Sequence, residues 1–375
     1  MINFESRLKS LKDRRQGALE RATLQKMALN EAMGLESLSL DGRKQETYEG
    51  LSQSAAIKYT IGAMSEVEEA STNISINEGT RVAETLQGML ETAGVPTYIE
   101  MQGSVPLNIH IKKHSDVDML MLIKGTVLVQ TPSPDESRYS PATDKRSMRD
   151  IVKELRMLSE EKLTTRYPEV HVDCSNAKSI AMSGGSLKRK VDIVPSCWFD
   201  TIEYQLSGKK HDRGVKILDK KADKLIGNSP FKHIKLVNDK DAIYNGNLKK
   251  CVRLIKNLIA DMPDYKKSKA KKLSSFDIVG IVYNMNDLLS ASVYTPLALV
   301  NALRIQFENL KLFEAARDIK VPDGSRKVFD SEEKIVALGV VCDEILALSE
   351  ALNRDIAPES ANYKPDHLTE KVIYF

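Results

Sequence analysis

The sequence predicts an α+β protein, a small mixed sheet with helices followed by a mostly helical lobe. Two observations carry this. Short extended segments between residues 97 and 195 alternate with turn residues, whereas the first hundred residues and the chain after Trp198 space their apolar residues as helices do. The boundary expected from that change puts a core with N-terminal helices at 1–200 and a helical lobe at 201–375. A chain of 375 residues is long enough for two such lobes.

Each element has its own signal. Phe4, Leu8 and Leu11 sit at helical spacing, Gly34 to Gly50 is a polar break, and helices are expected over 53–69 and 78–93, the last stopped by Gly94 and Pro96. Thr97 to Met101, Asp116 to Ile123 and Val127 to Gln130 read as strands. Thr131 to Lys145, with Pro132, Pro134 and Pro141, reads as a loop. Met148, Ile151, Val152, Leu155 and Leu158 form a helical stripe, and strands are expected near 170–174, 178–182 and 189–195. Gly184-Gly185 suggests a hairpin between the last two. Beyond Trp198 the stripe from Leu248 to Met262 is the clearest helix, followed by 276–289, 297–313 and 331–353. The tail from Pro358 has no periodicity. Its end, Val372 to Phe375, fits a docking tail for a regulatory protein partner and a packed terminal strand equally well.

Composition excludes some classes. Hydrophobic content of 42% with 29% charged residues is that of a globular protein, and no segment nears the roughly 18 consecutive apolar residues of a membrane span, so no membrane is expected. The charged amphipathic stretch Met1 to Arg15 lacks the apolar core of a secretory signal, which points to the cytoplasm. Four scattered cysteines without a CxxC pair suggest neither zinc nor disulfides. The net charge of +3 is unevenly spread, for residues 207–272 hold 19 lysines and arginines against seven aspartates and no glutamate. That excess suits a solvated face, a nucleic-acid groove or a polyphosphate cradle.

The chemistry is carried by carboxylates. Asp116 and Asp118, at i and i+2 of one strand, face the same way while Val117 faces the core. Asp192 stands alone in Val191-Asp-Ile-Val194, where an uncompensated carboxylate is costly and calls for a cation or dense hydrogen bonding. Three hard oxygen ligands suit divalent cations that neutralise phosphates during transfer. Gly103-Ser104, after a strand and a dozen residues before Asp116, suits close backbone approach to a phosphate. His110 and His114 are tempting additions, but hard Mg²⁺ rarely takes imidazole, and a structural or solvent-facing role is expected.

Gly103-Ser104, Asp116-x-Asp118 and Asp192 within Lys190-Val-Asp-Ile-Val-Pro195 together resemble the polymerase-beta-like nucleotidyltransferase superfamily. Cys251-Val-Arg-Leu-Ile-Lys256 and Leu273-Ser-Ser-Phe276 narrow the resemblance to the cyclic GMP-AMP synthase-like branch with the bacterial CD-NTases, from about residue 53 to 353. The resemblance implies a polymerase-beta-like core and a C-terminal helical lobe. It implies two Mg²⁺ ions, or Mn²⁺, held by Asp116, Asp118 and Asp192, with Asp192 helping to activate the attacking ribose hydroxyl. Gly103, Ser104, Lys256 and Ser275 would contact the donor nucleotide. Lys249 and Arg253 share a helix face with Lys256 opposite the apolar stripe, so these cations are expected on an open surface. The stretch Val105 to His114 departs from the small, Gly- or Arg-containing segment of many relatives, which bears on the phosphate contacts and leaves the carboxylates unaffected.

The implied substrates are nucleoside triphosphates, ATP with GTP or pyrimidine nucleotides, joined into a cyclic di- or trinucleotide second messenger with release of pyrophosphate. In bacterial relatives such signals switch on antiviral effectors. No zinc insertion is present, and activation by nucleic acid is not expected to be required. A linear oligoadenylate or RNA-end nucleotidyltransferase is the competing enzyme. A catalytically silent nucleotide-binding module is the competing non-enzyme, and retention of all three aspartates argues against it.

Overall fold

In the computed structural model, residues 2–15, 46–112, 115–360 and 362–374 are described. Helix α1 (Phe4–Arg15) buries Phe4, Leu8 and Leu11 as their spacing predicts. Most of the polar break and His114 lie outside the described residues. Helix α2 (Ala55–Met64) starts at Ser54, whose hydroxyl accepts from the Ile57 N–H at 3.4 Å. Helix α3 (Glu69–Thr92) begins well before the expected Glu78. The buried positions of its first turns are polar, Ser71, Ser75 and Glu78, so apolar periodicity does not mark them.

Next along the chain are strands β1 (Thr97–Gln102), β2 (Val117–Ile123) and β3 (Leu128–Val129) and helix α4 (Met148–Arg166). They are followed by strands β4 (His171–Asp173), β5 (Ile180–Ser183) and β6 (Val191–Asp200) and the short helix α5 (Ile202–Ser207). Strands β7 (Gly214–Asp219) and β8 (Lys224–Asn228) close the series. The sheet order is β1-β2-β6-β5-β4, with β3 and β7 on the later half of β6 and β8 beyond β7. β1 is antiparallel to β2, β2 is parallel to β6, and β5 and β6 form the antiparallel pair expected around Gly184-Gly185.

Alternation along the strands makes two faces. Val117, Met119, Met121, Val191 and Ile193 pack with Val82 and Leu86 of α3 and Val152 and Leu155 of α4. Leu120, Leu122, Val194 and Trp198 gather on the other face with Val215 and Phe231.

The rest is helical: α6 (Pro230–Ile243), α7 (Asn247–Ala260), α8 (Asp264–Ala270), α9 (Ser275–Tyr283), α10 (Ala298–Leu312), α11 (Glu332–Ile356) and α12 (Pro365–Thr369). Leu248, Cys251, Val252, Ile255 and Leu258 of α7 are fully buried, and the helix packs with α2, α9, α10 and α11. Leu368 and Ile373 of the tail are buried, and the Ile373 N–H donates to the Tyr294 carbonyl at 2.8 Å.

The chain divides elsewhere than at residue 200. One unit comprises the described residues of Val67–His110 and His114–Asp239, the other those of Met1–Glu66, Ile111–Lys113 and Lys240–Phe375. The reason is packing. α1 packs on α2 and α2 on α7 in the helical unit, while β7 and β8, in a stretch expected to be helical, extend the sheet. The strands are only six and five residues long, and Lys216, Asp219, Lys224 and Asn228 break up their apolar residues, which left the hairpin little strand signal.

Among the described residues no helix is long and apolar enough to cross a membrane. All four cysteines are free, and three of them are buried.

Candidate active site

Strand register brings the carboxylates together. Asp118 of β2 pairs across the parallel ladder with Asp192 of β6, and across the antiparallel ladder with Gln102, the last residue of β1. Val117 and Met119, on either side of Asp118, are 1% and 2% exposed, while Asp116, Asp118 and Asp192 are all partly exposed. Directly paired residues project from the same face, so Asp118 and Asp192 emerge side by side at one end of the sheet.

Neighbouring groups fix Asp192. The Ser179 hydroxyl donates to its Oδ2 at 2.9 Å. Burial pushes the Asp192 carboxyl above the usual carboxylate range, the Ser179 hydroxyl pulls it back, and the negative charge of Asp116 pushes it up again. The segment leading into β6 is pinned to α3, where Glu78 Oε1 accepts from the Lys188 N–H at 2.8 Å and the Arg189 guanidinium donates to Ser75 and Ser71 at 3.2 and 3.0 Å. These polar residues of α3 and Ser179 were not anticipated from the sequence. Nothing in their spacing marks them, because each acts through a partner remote in the chain.

Gly103 completes this end of the sheet. Its φ is +84°, and a Cβ there would lie 2.2 Å from Asp118 Oδ2, so only glycine lets the turn after β1 pass beside that carboxylate. Ser104 follows in a turn whose carbonyl accepts from the Ile109 N–H at 3.1 Å. The unusual stretch after it is an apolar anchor, since Val105, Leu107 and Ile109 are all buried. His110 is also buried, and its Nε2 lies 3.1 Å from the Thr72 hydroxyl, in keeping with a structural role.

The donor set suits a divalent cation. Among the described residues no three metal-ligating side chains are already drawn together as a cage. Three hard carboxylate oxygens at one strand end are nonetheless the ligands Mg²⁺ takes, and the like charges of Asp116 and Asp192 oppose one another unless a cation lies among them.

Known proteins resemble this chain in sequence and fold. The profile of the cGAS/DncV-like nucleotidyltransferase C-terminal helical domain matches residues 235–342. A cyclic dinucleotide synthase CdnE from Yersinia aleksiciae is 34% identical over 383 residues, covering 99% of both chains. The chain belongs to the cGAS/DncV-like nucleotidyltransferases, the CD-NTases. A c-di-GMP synthase from a Lachnospiraceae bacterium is 29% identical over 79% of this chain and 88% of that protein. The solved structure of a STING-associated CdnE c-di-GMP synthase from Capnocytophaga granulosa superposes with a TM-score of 0.66 at 26% identity, covering 94% of this chain and 99% of the other.

In this CD-NTase the cations of α7 are not on an open surface. Arg253 is 2% and Lys256 8% exposed, and only Lys249 of the three is partly open. Arg253 donates through Nε to the Met64 carbonyl at 2.7 Å, and burial pulls its guanidinium down to about 10. The charge pattern of the helix was legible, but the carbonyl that holds Arg253 comes from the end of α2, 189 residues earlier in the chain and invisible to a helical wheel.

Ser275 is exposed at the first position of α9. Its neighbour Ser274 forms the capping box, accepting from the Asp277 N–H at 3.2 Å while Asp277 accepts from the Ser274 N–H at 2.9 Å. Asp277 is fully buried and ion-paired with Arg326 and Lys334 at 2.7 and 3.0 Å. The Ser-x-x-Asp spacing carries that signal in the sequence. It identifies Ser274 as the cap and leaves the Ser275 hydroxyl available.

Proposed function

We propose that this CD-NTase joins two nucleoside triphosphates into a cyclic dinucleotide, releasing pyrophosphate at each of two transfers. The observation that carries the reading is the pairing of Asp118 with Asp192 on adjacent parallel strands, with Asp116 two residues upstream and Gly103 turning past the carboxylate. The relatives are named cyclic dinucleotide and c-di-GMP synthases, which makes guanine nucleotides the first substrates to test and ATP the second.

Asp116, Asp118 and Asp192 would hold Mg²⁺ or Mn²⁺, whose chemistry in such a site is to neutralise the triphosphate and lower the pKa of the attacking hydroxyl. Gly103 exposes backbone to the donor phosphates, and the Ser104 hydroxyl donates to them. Asp192, made more basic by burial and by Asp116, accepts the proton of the attacking ribose hydroxyl. The new bond joins that oxygen to the α-phosphorus. The bond from the α-phosphorus to the bridging oxygen breaks, and pyrophosphate leaves. A second transfer with the linear intermediate closes the ring. Lys256 and Ser275 are proposed as further contacts to the donor triphosphate. The product would act as a signal in the cytoplasm, where its substrates are.

Asp118→Asn tests the reading. It should lower pyrophosphate release from mixed nucleotides with Mg²⁺ by roughly a hundredfold or more while the melting temperature stays near that of the parent. Undiminished turnover would remove Asp118 from the mechanism. Mass measurement of the product, with and without phosphatase, separates a cyclic dinucleotide from a linear oligonucleotide.

A further inference from the structure

The sheet unit contains a cavity of about 370 Å³, lined by Tyr98, Glu100, Thr126, Val127, Trp198 and Arg213 among others. It lies where the sheet comes apart. β2 last pairs β6 at Ser196 and β3 first pairs it at Phe199, so Cys197 and Trp198 have no ladder partner on that edge, while β7 pairs both on the other. Trp198 shares a sheet face with Val194, and by alternation with Asp192. Trp198 lies six strand positions beyond Asp192, about 20 Å at ~3.3 Å per strand residue, too far for one base to touch both.

Arg213 indicates what this cavity takes. Its guanidinium carbon is 4.2 Å from the Trp198 ring centroid and 4.9 Å from that of Tyr204, and Nε donates to the buried Asp200 at 2.6 Å. Stacked and anchored in this way, the group makes no other side-chain hydrogen bond among the described residues, which leaves its terminal fork uncommitted on the cavity wall. A rigid fork selects a flat ring with two adjacent acceptors, and the O6/N7 edge of guanine is such an edge. Glu100, on the same lining and paired with Lys210 at 2.6 Å, offers carboxylate oxygens to ring N–H donors, which guanine also has. The volume falls within the roughly 300–1,000 Å³ of small-ligand pockets.

We propose that this cavity is a binding site for a guanine nucleoside or nucleotide, recognised through its base and separate from the carboxylate site.

Trp198 is the chain's single tryptophan, so its emission reports on the cavity directly. The full chain in EDTA is titrated with guanosine, which has no phosphates for a metal-dependent site, and with adenosine for comparison. Guanosine should change the emission saturably, with adenosine about tenfold weaker or more. Arg213→Lys keeps the charge beside Asp200 but loses the fork, and Thr126→Phe fills the cavity. Each should raise the half-saturating guanosine concentration about tenfold or more. Asp118→Asn should leave it unchanged. The proposal is overturned by the absence of a saturable change, by an equal or stronger response to adenosine, by normal binding in both cavity variants, or by loss of binding in Asp118→Asn. The readout needs no turnover, so it stands or falls apart from the transferase reading.

Discussion

The sheet unit and the helical unit treat their charged residues in opposite ways. In the sheet unit Asp116, Asp118 and Asp192 stay partly exposed at a strand end, flanked by residues that are almost wholly buried. In the helical unit several charges along α1 and α7, Arg14 and Arg253 among them, are buried in the fold. Arg14 donates to Asp261 at 2.5 and 2.8 Å and to Asn257 at 2.9 Å, and Tyr59 also donates to Asp261 at 2.9 Å. Arg253 holds the end of α2. A strand fixes side-chain direction by a period of two, so a lone acid between apolar neighbours has one face to occupy. A helix presents a broad polar arc, and what covers part of that arc is decided by other helices.

The largest effect that should expose this contrast is Arg14→Ala. It leaves the Asp261 carboxylate, 4% exposed, without its ion pair, and should cost about 3–5 kcal/mol in urea unfolding. A loss under ~1 kcal/mol would place Arg14 among ordinary surface charges.

Gly103→Ala should act on the sheet unit in the reverse sense. Its strained φ costs about 1 kcal/mol of stability, but the clash with Asp118 should lower nucleotide transfer by roughly a hundredfold. Activity within a factor of two of the parent would show that the turn can move without disturbing the carboxylate.

Gly79→Ala probes the same carboxylates from behind. A Cβ at Gly79 would lie 2.5 Å from Cγ1 of Val117, the residue between Asp116 and Asp118, and such overpacking should cost about 1–3 kcal/mol with a parallel fall in activity. Full activity in the destabilised variant would uncouple α3 packing from the site.

Asp192→Asn should abolish transfer in the presence of Mg²⁺ yet, with the metal removed by EDTA, hold or raise the melting temperature. Burial and Asp116 both disfavour the charged form, so the folded state gains when that charge is removed. A clear drop in melting temperature would make Asp192 a structural acid. The smallest effect is expected at exposed Ser275. Ser275→Ala should leave stability within about 0.5 kcal/mol and raise the apparent Michaelis constant for the donor nucleotide, and an unchanged constant would remove this contact.

The legible part of the protein follows the same divide. Val117 between Asp116 and Asp118, and Val191 and Ile193 around Asp192, gave a strand period and an acid out of place in it, and the structure pairs Asp118 with Asp192 in register. The helical stripe of α7 was equally clear, and every one of its apolar positions is buried. The start of α3 was not, because Ser71, Ser75 and Glu78 are buried for their hydrogen bonds to the segment before β6. Nor was the β7–β8 hairpin, whose strands are recognised by their partners in the sheet more than by their own residues.

The sequence alone determined the fold class, the aspartate trio and the glycine beside it, because strand alternation and positive φ are local constraints that residue type records. Tertiary structure decided which cations remain accessible, which strands extend the sheet, and where the ladder along β6 opens at Trp198. Those outcomes depend on which distant surface covers each side chain, and burial energy belongs to the pair of surfaces and to neither residue by itself.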